Sequence, residues 1–278
     1  MDRSTWNLTK GLFPLRFASL PKILALSAIL APSQALAWGA EGHEIAAAIA
    51  LRDLTPAARE EVGRLLGAPV MIVHDASWAD EIRDSRPETG AWHYVDIPLR
   101  AGSYDARRDC SDENCVVGQI GDDLRVLSNR HAPDAARAEA LRFLIHFVAD
   151  AHQPLHAEDN DDKGGNQVHV RLGRERASLH KLWDVDVVEP LGPNPDTIAE
   201  AIEHDLSTGQ RKDWQSGTPA RWANEAHAIA REHIYPPLGG ARDLRLPRDY
   251  AVREAPLARI LLAKAGVRLA WLLNTALK

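Results

Sequence analysis

Helix-forming patterns recur along almost the whole chain after residue 37. The pair Thr55-Pro56 supplies an N-cap and a proline at the first helical position, and the charged and apolar run behind it stops at Gly67. Thr218-Pro219 opens another segment in the same way. Apolar residues at helical spacing fill two longer segments, 133–152 and 250–277. These patterns predict a protein built mainly of helices.

Strand-like alternation is confined to short pieces near Val95 and Val168. Glycine and proline mark three breaks between helices, at 164–165, 191–195 and 235–247. The length after residue 37 suits one large domain with a sizeable core. The sequence therefore predicts an all-α, single-domain fold over residues 38–278.

Residues 1–37 have the features of a secretory signal peptide. A basic leader precedes a short apolar run at 23–32, and Ala35-Leu36-Ala37 fits the small-x-small cleavage rule. The run is about half the length that a membrane-spanning helix needs. A disordered or transit-like N-terminus is the alternative. We expect export to the periplasm or the exterior of a bacterium, with Trp38 as the mature N-terminus. An alanine- and arginine-rich composition suggests the bacterial source.

The charge of the chain bears on its partners. The formal net charge is −6, and removing residues 1–37 takes away four basic residues and one acidic residue, so it falls to about −9. Nucleic-acid binders usually carry a basic footprint instead. Bound divalent cations can reverse the sign locally.

Cys110 and Cys115 are the only cysteines. A close pair in an exported chain favours a loop-closing disulfide over metal ligation.

Histidine and aspartate recur at metal-ligand spacing. His146 and Asp150 stand four residues apart, which places both side chains on one helix face, and His180 and Asp184 repeat this geometry. His156 follows a proline that should end the helix and turn the imidazole back. Zinc binds neutral imidazole and carboxylate. Such pairs also decorate helix surfaces, but buried ones need a partner, and a metal provides it.

The ordered motifs resemble the S1/P1 nuclease family, relatives of the zinc-dependent phospholipases C. They are Trp38-Gly-Ala-Glu-Gly-His43, Ser77-Trp-Ala-Asp80-Glu-Ile-Arg83, Trp92-His93-Tyr94-Val-Asp96, His146-Phe-Val-Ala-Asp150-Ala-His-Gln-Pro-Leu-His156, Gly164-Gly-Asn166 and His180-Lys-Leu-Trp-Asp184. The cysteine pair also lies where that family has a short-loop disulfide. The resemblance implies a helical bundle of the phospholipase C/P1 nuclease type.

The resemblance implies three Zn²⁺ ions per chain. The first would take Asp80, His93 and His146, with Asp150 bridging to the third. The second would take His156, His180 and Asp184. The third would take His43, Asp150, and the amino nitrogen and carbonyl oxygen of Trp38, which only a cleaved chain offers.

A zinc site of this kind supports phosphodiester hydrolysis by a zinc-bound hydroxide, because two close ions lower the pKa of a shared water. Asp80 would hold that hydroxide in line with phosphorus. Arg83 and Asn166 would donate to the phosphate oxygens of the transition state. An ion pair with Asp80 is the alternative for Arg83, and turn geometry is the alternative for Asn166.

The resemblance implies single-stranded DNA and RNA as substrates, cut to 5′-phosphate products, with added activity on 3′-nucleotides. Tyr94 would stack on a base and Asp96 would accept hydrogen bonds from a base edge. Core packing for Tyr94 and an exposed or capping role for Asp96 are the alternatives. We expect a monomer with no stable membrane association.

Two other functions are alternatives to the nuclease hypothesis. A zinc-dependent phospholipase C shares the framework, but that branch uses glutamate where this chain has Asp184. A zinc-binding protein without turnover would have no use for Asp80, Arg83 and Asn166 together.

The remaining histidines are not expected to bind metal. We expect His152 to support the site without ligating, and His169 to line the cleft on a short strand. The others are expected at the surface or at helix ends: His74, His131, His204, His227 and His233.

Overall fold

The computed structural model of the chain describes Met1 and residues 38–278. Over this part, twelve α-helical segments are joined by short 3-10 and π turns. The first six are α1 (Ala40–Asp53), α2 (Pro56–Leu66), α3 (Met71–His74), α4 (Trp78–Glu81), α5 (Ala106–Asp109) and α6 (Val116–Ser128). The other six are α7 (Asp134–Asp150), α8 (Leu179–Lys181), α9 (Pro195–Asp205), α10 (Thr208–Trp214), α11 (Pro219–Ile229) and α12 (Tyr250–Ala276). The predicted signal peptide lies, apart from Met1, outside the described residues.

The predicted helix ends form for the expected reasons. The Thr55 hydroxyl accepts a hydrogen bond from the Ala58 amide at 3.2 Å, and α2 ends at Gly67 in the left-handed region with φ +93°. Thr218 caps α11 through the Arg221 amide at 3.3 Å. The prediction of a mainly helical fold is confirmed.

One small sheet departs from the all-α expectation. Its strands are β1 (His169–Leu172), β2 (Glu175–Ser178) and β3 (Asp243–Leu246), in the order β2-β1-β3. Strand β2 is antiparallel to β1 and β3 is parallel to it. The alternation near Val168 indicated β1, whereas β3 lies within a predicted break. Strands of four residues are too short for hydrophobic periodicity to identify them.

Helix α7 runs through the interior. Every residue from Phe143 to Asp150 is buried, so this helix is enclosed on all sides. Helix α1 packs against α12, α9 and α7. Polar side chains on α1 and α7 are therefore held within the core, where they need partners.

The predicted disulfide is confirmed, because Cys110 and Cys115 are joined between α5 and α6. Among the described residues, no helix combines enough length with enough apolar character to cross a membrane.

Candidate metal centre

The predicted metal ligands lie on separate helices and turns, and the structure brings their side chains together in the interior. Helix α7 contributes two of them, and the others come from α1, α4, α8 and three short 3-10 or π turns. The side chains form three groups, each with its nitrogen or oxygen atoms within 4.8 Å of one another. The groups are His43, His146 and Asp150; Asp80, His93 and His146; and His156, His180 and Asp184.

Asp150 stands between several imidazoles. Its Oδ2 atom lies 3.1 Å from His93 Nδ1 and 3.3 Å from His146 Nε2, and its Oδ1 atom lies 3.4 Å from His43 Nε2. Burial alone would raise the pKa of the carboxyl, but His146 and His93 bring it well below its usual range. The carboxylate therefore connects the first two groups in its charged form.

Three of the imidazoles are oriented by backbone carbonyls. His146 Nδ1 lies 2.8 Å from the Ala76 oxygen, and His156 Nδ1 lies 2.8 Å from the His93 oxygen. His180 Nδ1 lies 2.6 Å from the Gly164 oxygen. A carbonyl can only accept, so each Nδ1 carries a proton and each Nε2 faces the interior.

The charges and pKa values of the three groups of side chains favour the binding of cations. The carboxylates of Asp150 and Asp80 outweigh burial and raise the pKa of His146 to about 9. Burial, with His156 nearby, lowers the pKa of His180 to about 3, so that ring stays neutral. Both ring nitrogens of His43 and Oδ1 of Asp150 are buried without a hydrogen-bond partner in the described part of the chain. Neutral imidazoles and carboxylates with unpaired buried atoms are a donor set that fits divalent metal ions.

Trp38 is fixed beside these groups. Its side chain is fully buried, and its indole Nε1 donates to the Ala149 oxygen at 3.1 Å. The next amide, of Gly39, donates to the Asp184 oxygen at 2.8 Å. Gly42 lies so close that a Cβ there would come within 2.9 Å of the Trp38 Cβ. The predicted mature N-terminus is thus tied to α7 and to the turn that carries Asp184.

Arg83 donates to Asp80 at 3.2 Å, so the predicted ion pair is present alongside the proposed phosphate contact. Asn166 follows two glycines with positive φ and donates one amide hydrogen to the Lys163 oxygen at 2.8 Å. Its second amide hydrogen remains available.

Tyr94 keeps 39% of its surface exposed, so it is not a core residue. Asp96 is also exposed, and partial desolvation with Asp159 nearby raises the pKa of its carboxyl to about 6.

Two histidines outside the three groups support the architecture. His152 is buried, with Nδ1 at 2.6 Å from the Val148 oxygen and Nε2 facing the Arg268 guanidinium at 2.7 Å, as expected of a supporting residue. His227 lies in the last turn of α11, one of the two places expected for it, but it is not at the surface, because its ring is buried between the Ala157 and Ala101 oxygens at 3.0 Å each. Its position four residues after Ala223, on the buried face of α11, was the available signal.

Comparison with known proteins gives a consistent result. The family model described as S1/P1 Nuclease matches residues 38–278. Endonuclease 2 from Arabidopsis thaliana is 33% identical over 85% of this chain and 89% of the relative. Nuclease P1 from Penicillium citrinum is 30% identical over 85% and 97%, and Nuclease S1 from Aspergillus oryzae (strain ATCC 42149 / RIB 40) is 28% identical over 91% and 97%. The family match begins at the residue predicted to become the mature N-terminus.

Proposed function

Since this chain belongs to the S1/P1 nuclease family and is a metal-dependent hydrolase of phosphodiester bonds, we propose that it uses three zinc ions to cut single-stranded DNA and RNA. The products would carry 5′-phosphates, and 3′-nucleotides would be further substrates. The support is a family match from residue 38 to residue 278 and relatives named Nuclease S1 and Nuclease P1.

The observation that carries the proposal is the sharing of ligands between groups. His146 belongs to two of the three groups, and Asp150 reaches imidazoles of both. A carboxylate with one oxygen toward each group would hold two ions close together, and His146 would ligate one of them through Nε2. The third group, His156, His180 and Asp184, would hold an ion slightly apart.

Zinc bound by these residues would lower the pKa of a water and neutralise charge on phosphate oxygens. Asp80, paired with Arg83 at 3.2 Å, would hold the attacking water or hydroxide by a hydrogen bond, in line with phosphorus. Arg83 would also donate to a phosphate oxygen, as would the second amide hydrogen of Asn166. The exposed ring of Tyr94 would stack on a neighbouring base, with Asp96 at the base edge.

The proposal includes export. Removal of residues 1–37 would free the amine of Trp38, whose side chain already lies against α7. That amine and the Trp38 carbonyl oxygen would complete the ligand set of His43 and Asp150. The mature protein would act as a monomer in the periplasm or outside the cell, without stable membrane association.

The experiment is an assay of exported, zinc-loaded protein on single-stranded DNA, RNA, a 3′-nucleotide and phosphatidylcholine. We expect hydrolysis of the first three substrates, loss of activity with a chelator, and about three zinc ions per chain by elemental analysis. His93→Ala should abolish cleavage, whereas His204→Ala, at an exposed position, should not. Hydrolysis of the lipid alone would overturn the proposal.

A further inference from the structure

The small sheet has one apolar face and one cationic face. Val170 is fully buried, and it shares its face with Leu244 and Leu246, which pack against the core. The opposite face carries a row of three arginines, because Arg171 is the register partner of Arg176 on one side and of Arg245 on the other. Residues paired in register lie on the same face of a sheet.

The arginine row, Arg171, Arg176 and Arg245, is mostly unneutralised. Arg171 is paired with Asp243 at 3.1 Å. Arg176 and Arg245 are exposed, and their guanidinium groups have no hydrogen bond or ion pair within residues 38–278. Like charges directly opposite one another destabilise a sheet. A row that persists in an acidic protein therefore points to an anion outside the chain.

Two further arginines extend the cationic surface. Arg174 occupies the turn between β1 and β2, and Arg248 packs over Gly173 of the same turn, 3.5 Å from where a Cβ would lie. Both are exposed. A depression of about 350 Å³ lies along the row and is bounded by His169, Arg171, Arg176 and Asp243.

The sheet is continuous with the metal centre. Strand β1 begins three residues after Asn166, and β2 ends at Ser178, which caps the helix of His180 by accepting from the Lys181 amide at 3.0 Å. The row lies two residues further along the strand than the pair His169 and Ser178, or about 7 Å. A strand held at Asn166 and His180 would therefore have to continue beyond the bond being cut to reach the row.

We propose that the arginine row binds the phosphates of a single-stranded nucleic acid beyond the bond being cut. This rests on the proposed function of the metal centre. Arginine presents a planar fork of donors to phosphate oxygens, and contacts to phosphate carry no sequence information, so the row holds a long strand without reading its sequence. An anionic membrane is less well matched, because the strands of the row are joined directly to Asn166 and to the helix of His180, which belong to the proposed site of cleavage.

The test is the triple variant Arg171→Gln/Arg176→Gln/Arg245→Gln in the mature, zinc-loaded protein. For a DNA strand of roughly 30 nucleotides at about 50 mM salt, we expect KM to rise about tenfold with kcat unchanged. The slope of log KM against log salt should fall by about 0.7 for each arginine removed. Cleavage of a dinucleotide should be unaffected, and the melting temperature should stay equal or rise because like charges are removed.

The matched control is Arg125→Gln/Arg130→Gln/Lys212→Gln, which removes the same charge from exposed positions elsewhere. The proposal fails if the control raises KM as much as the row variant, because net charge would then explain the effect. It also fails if the row variant cleaves the long strand as the wild type does, and the nuclease function then stands. Loss of binding to phosphatidylserine vesicles with unchanged strand cleavage would assign the row to a membrane instead.

If the protein is not a nuclease, the outcome of the cleavage assay is different. The wild type would then leave every nucleic acid uncut, and binding of a fluorescent phosphorothioate strand decides the role of the row. If the row variant binds this strand more weakly than the wild type and the control variant do, the proposed role of the row is supported. If all three bind it equally, that role is overturned.

Discussion

The Nε2 atoms of His156 and His180 face each other at 3.2 Å. Each ring directs its Nδ1 toward a backbone carbonyl oxygen, so both Nε2 lone pairs point into the same space. Two facing lone pairs repel each other, and a cation between them turns the repulsion into attraction. The carboxyl group of Asp184, 3.3 Å from His180 Nε2, offers an oxygen ligand at the same place. Two imidazole nitrogens and a carboxyl oxygen that converge in this way are a ligand set that favours a bound divalent cation.

Removal of metal should lower thermal stability. At a zinc concentration a thousandfold above Kd, one independent site adds about 4 kcal/mol, which is roughly 8–16 °C in a domain of this size. Differential scanning fluorimetry of chelator-treated protein with and without added zinc measures the shift. A melting temperature that does not respond to zinc would contradict the metal assignment.

Substitution of Asp150 should release two ions together. Its two oxygens reach His93 and His146 on one side and His43 on the other, so no other side chain replaces it. Elemental analysis of Asp150→Ala should show about one zinc per chain where the wild type shows about three. His180→Ala is the matched control and should lose one ion only. Three ions retained by Asp150→Ala would refute the bridging role.

Moving the mature N-terminus by one residue should reduce zinc binding and activity. Trp38 is anchored through its indole to the Ala149 oxygen, so an alanine inserted ahead of it would leave the side chain in place and move the free amine away. We expect the inserted protein to lose about one zinc of three and most of its activity, whereas mature protein beginning at Trp38 keeps both. Unchanged zinc content and activity would show that the terminal amine is not a ligand.

The local part of the site could be predicted from residue spacing, whereas the meeting of ligands from separate elements was expected only from the family resemblance. The pair His146 and Asp150 is set by helical spacing within α7. What the sequence could not predict were contacts between distant backbone atoms and side chains, such as the Ala76 and Gly164 carbonyls that orient His146 and His180. A carbonyl is present at every position, so no residue type indicates it.

For the fold too, local features could be predicted from the sequence and contacts between distant segments could not. Helix caps at Thr55 and Thr218 have recognisable side chains, and both helices begin there. The parallel pairing of β1 with β3 joins strands about seventy residues apart, from His169 to Asp243. That pairing depends on the packing of the intervening helices, which local patterns do not encode.

Neutralising Asp123 should stabilise the protein in a pH-dependent way. Burial, with Asp122 and Glu139 nearby, raises the pKa of its carboxyl from 3.8 to about 8, and Oδ2 has no hydrogen-bond partner within the described residues. The folded state holds this proton more tightly than the unfolded state, so wild-type stability is lost as the pH rises from about 4 toward 8. Asp123→Asn should show no advantage near pH 3.5 and a growing one up to pH 8, measured by urea unfolding. An advantage independent of pH would contradict this explanation.

Replacing Gly266 should loosen the contact between α12 and α1. A Cβ at this position would lie 2.7 Å from the Ala46 oxygen and 2.6 Å from the Ile49 Cβ, both on the helix that carries His43. In an open helix, glycine to alanine stabilises by about 1 kcal/mol, but here the helices must separate. We expect Gly266→Ala to cost about 1–3 kcal/mol in urea unfolding and to weaken zinc binding at His43. Gly121→Ala in α6, where no atom lies within 4 Å of the added Cβ, is the matched control and should stabilise the protein. If Gly266→Ala stabilised it equally, the close packing of α12 on α1 would not be a constraint on the metal centre.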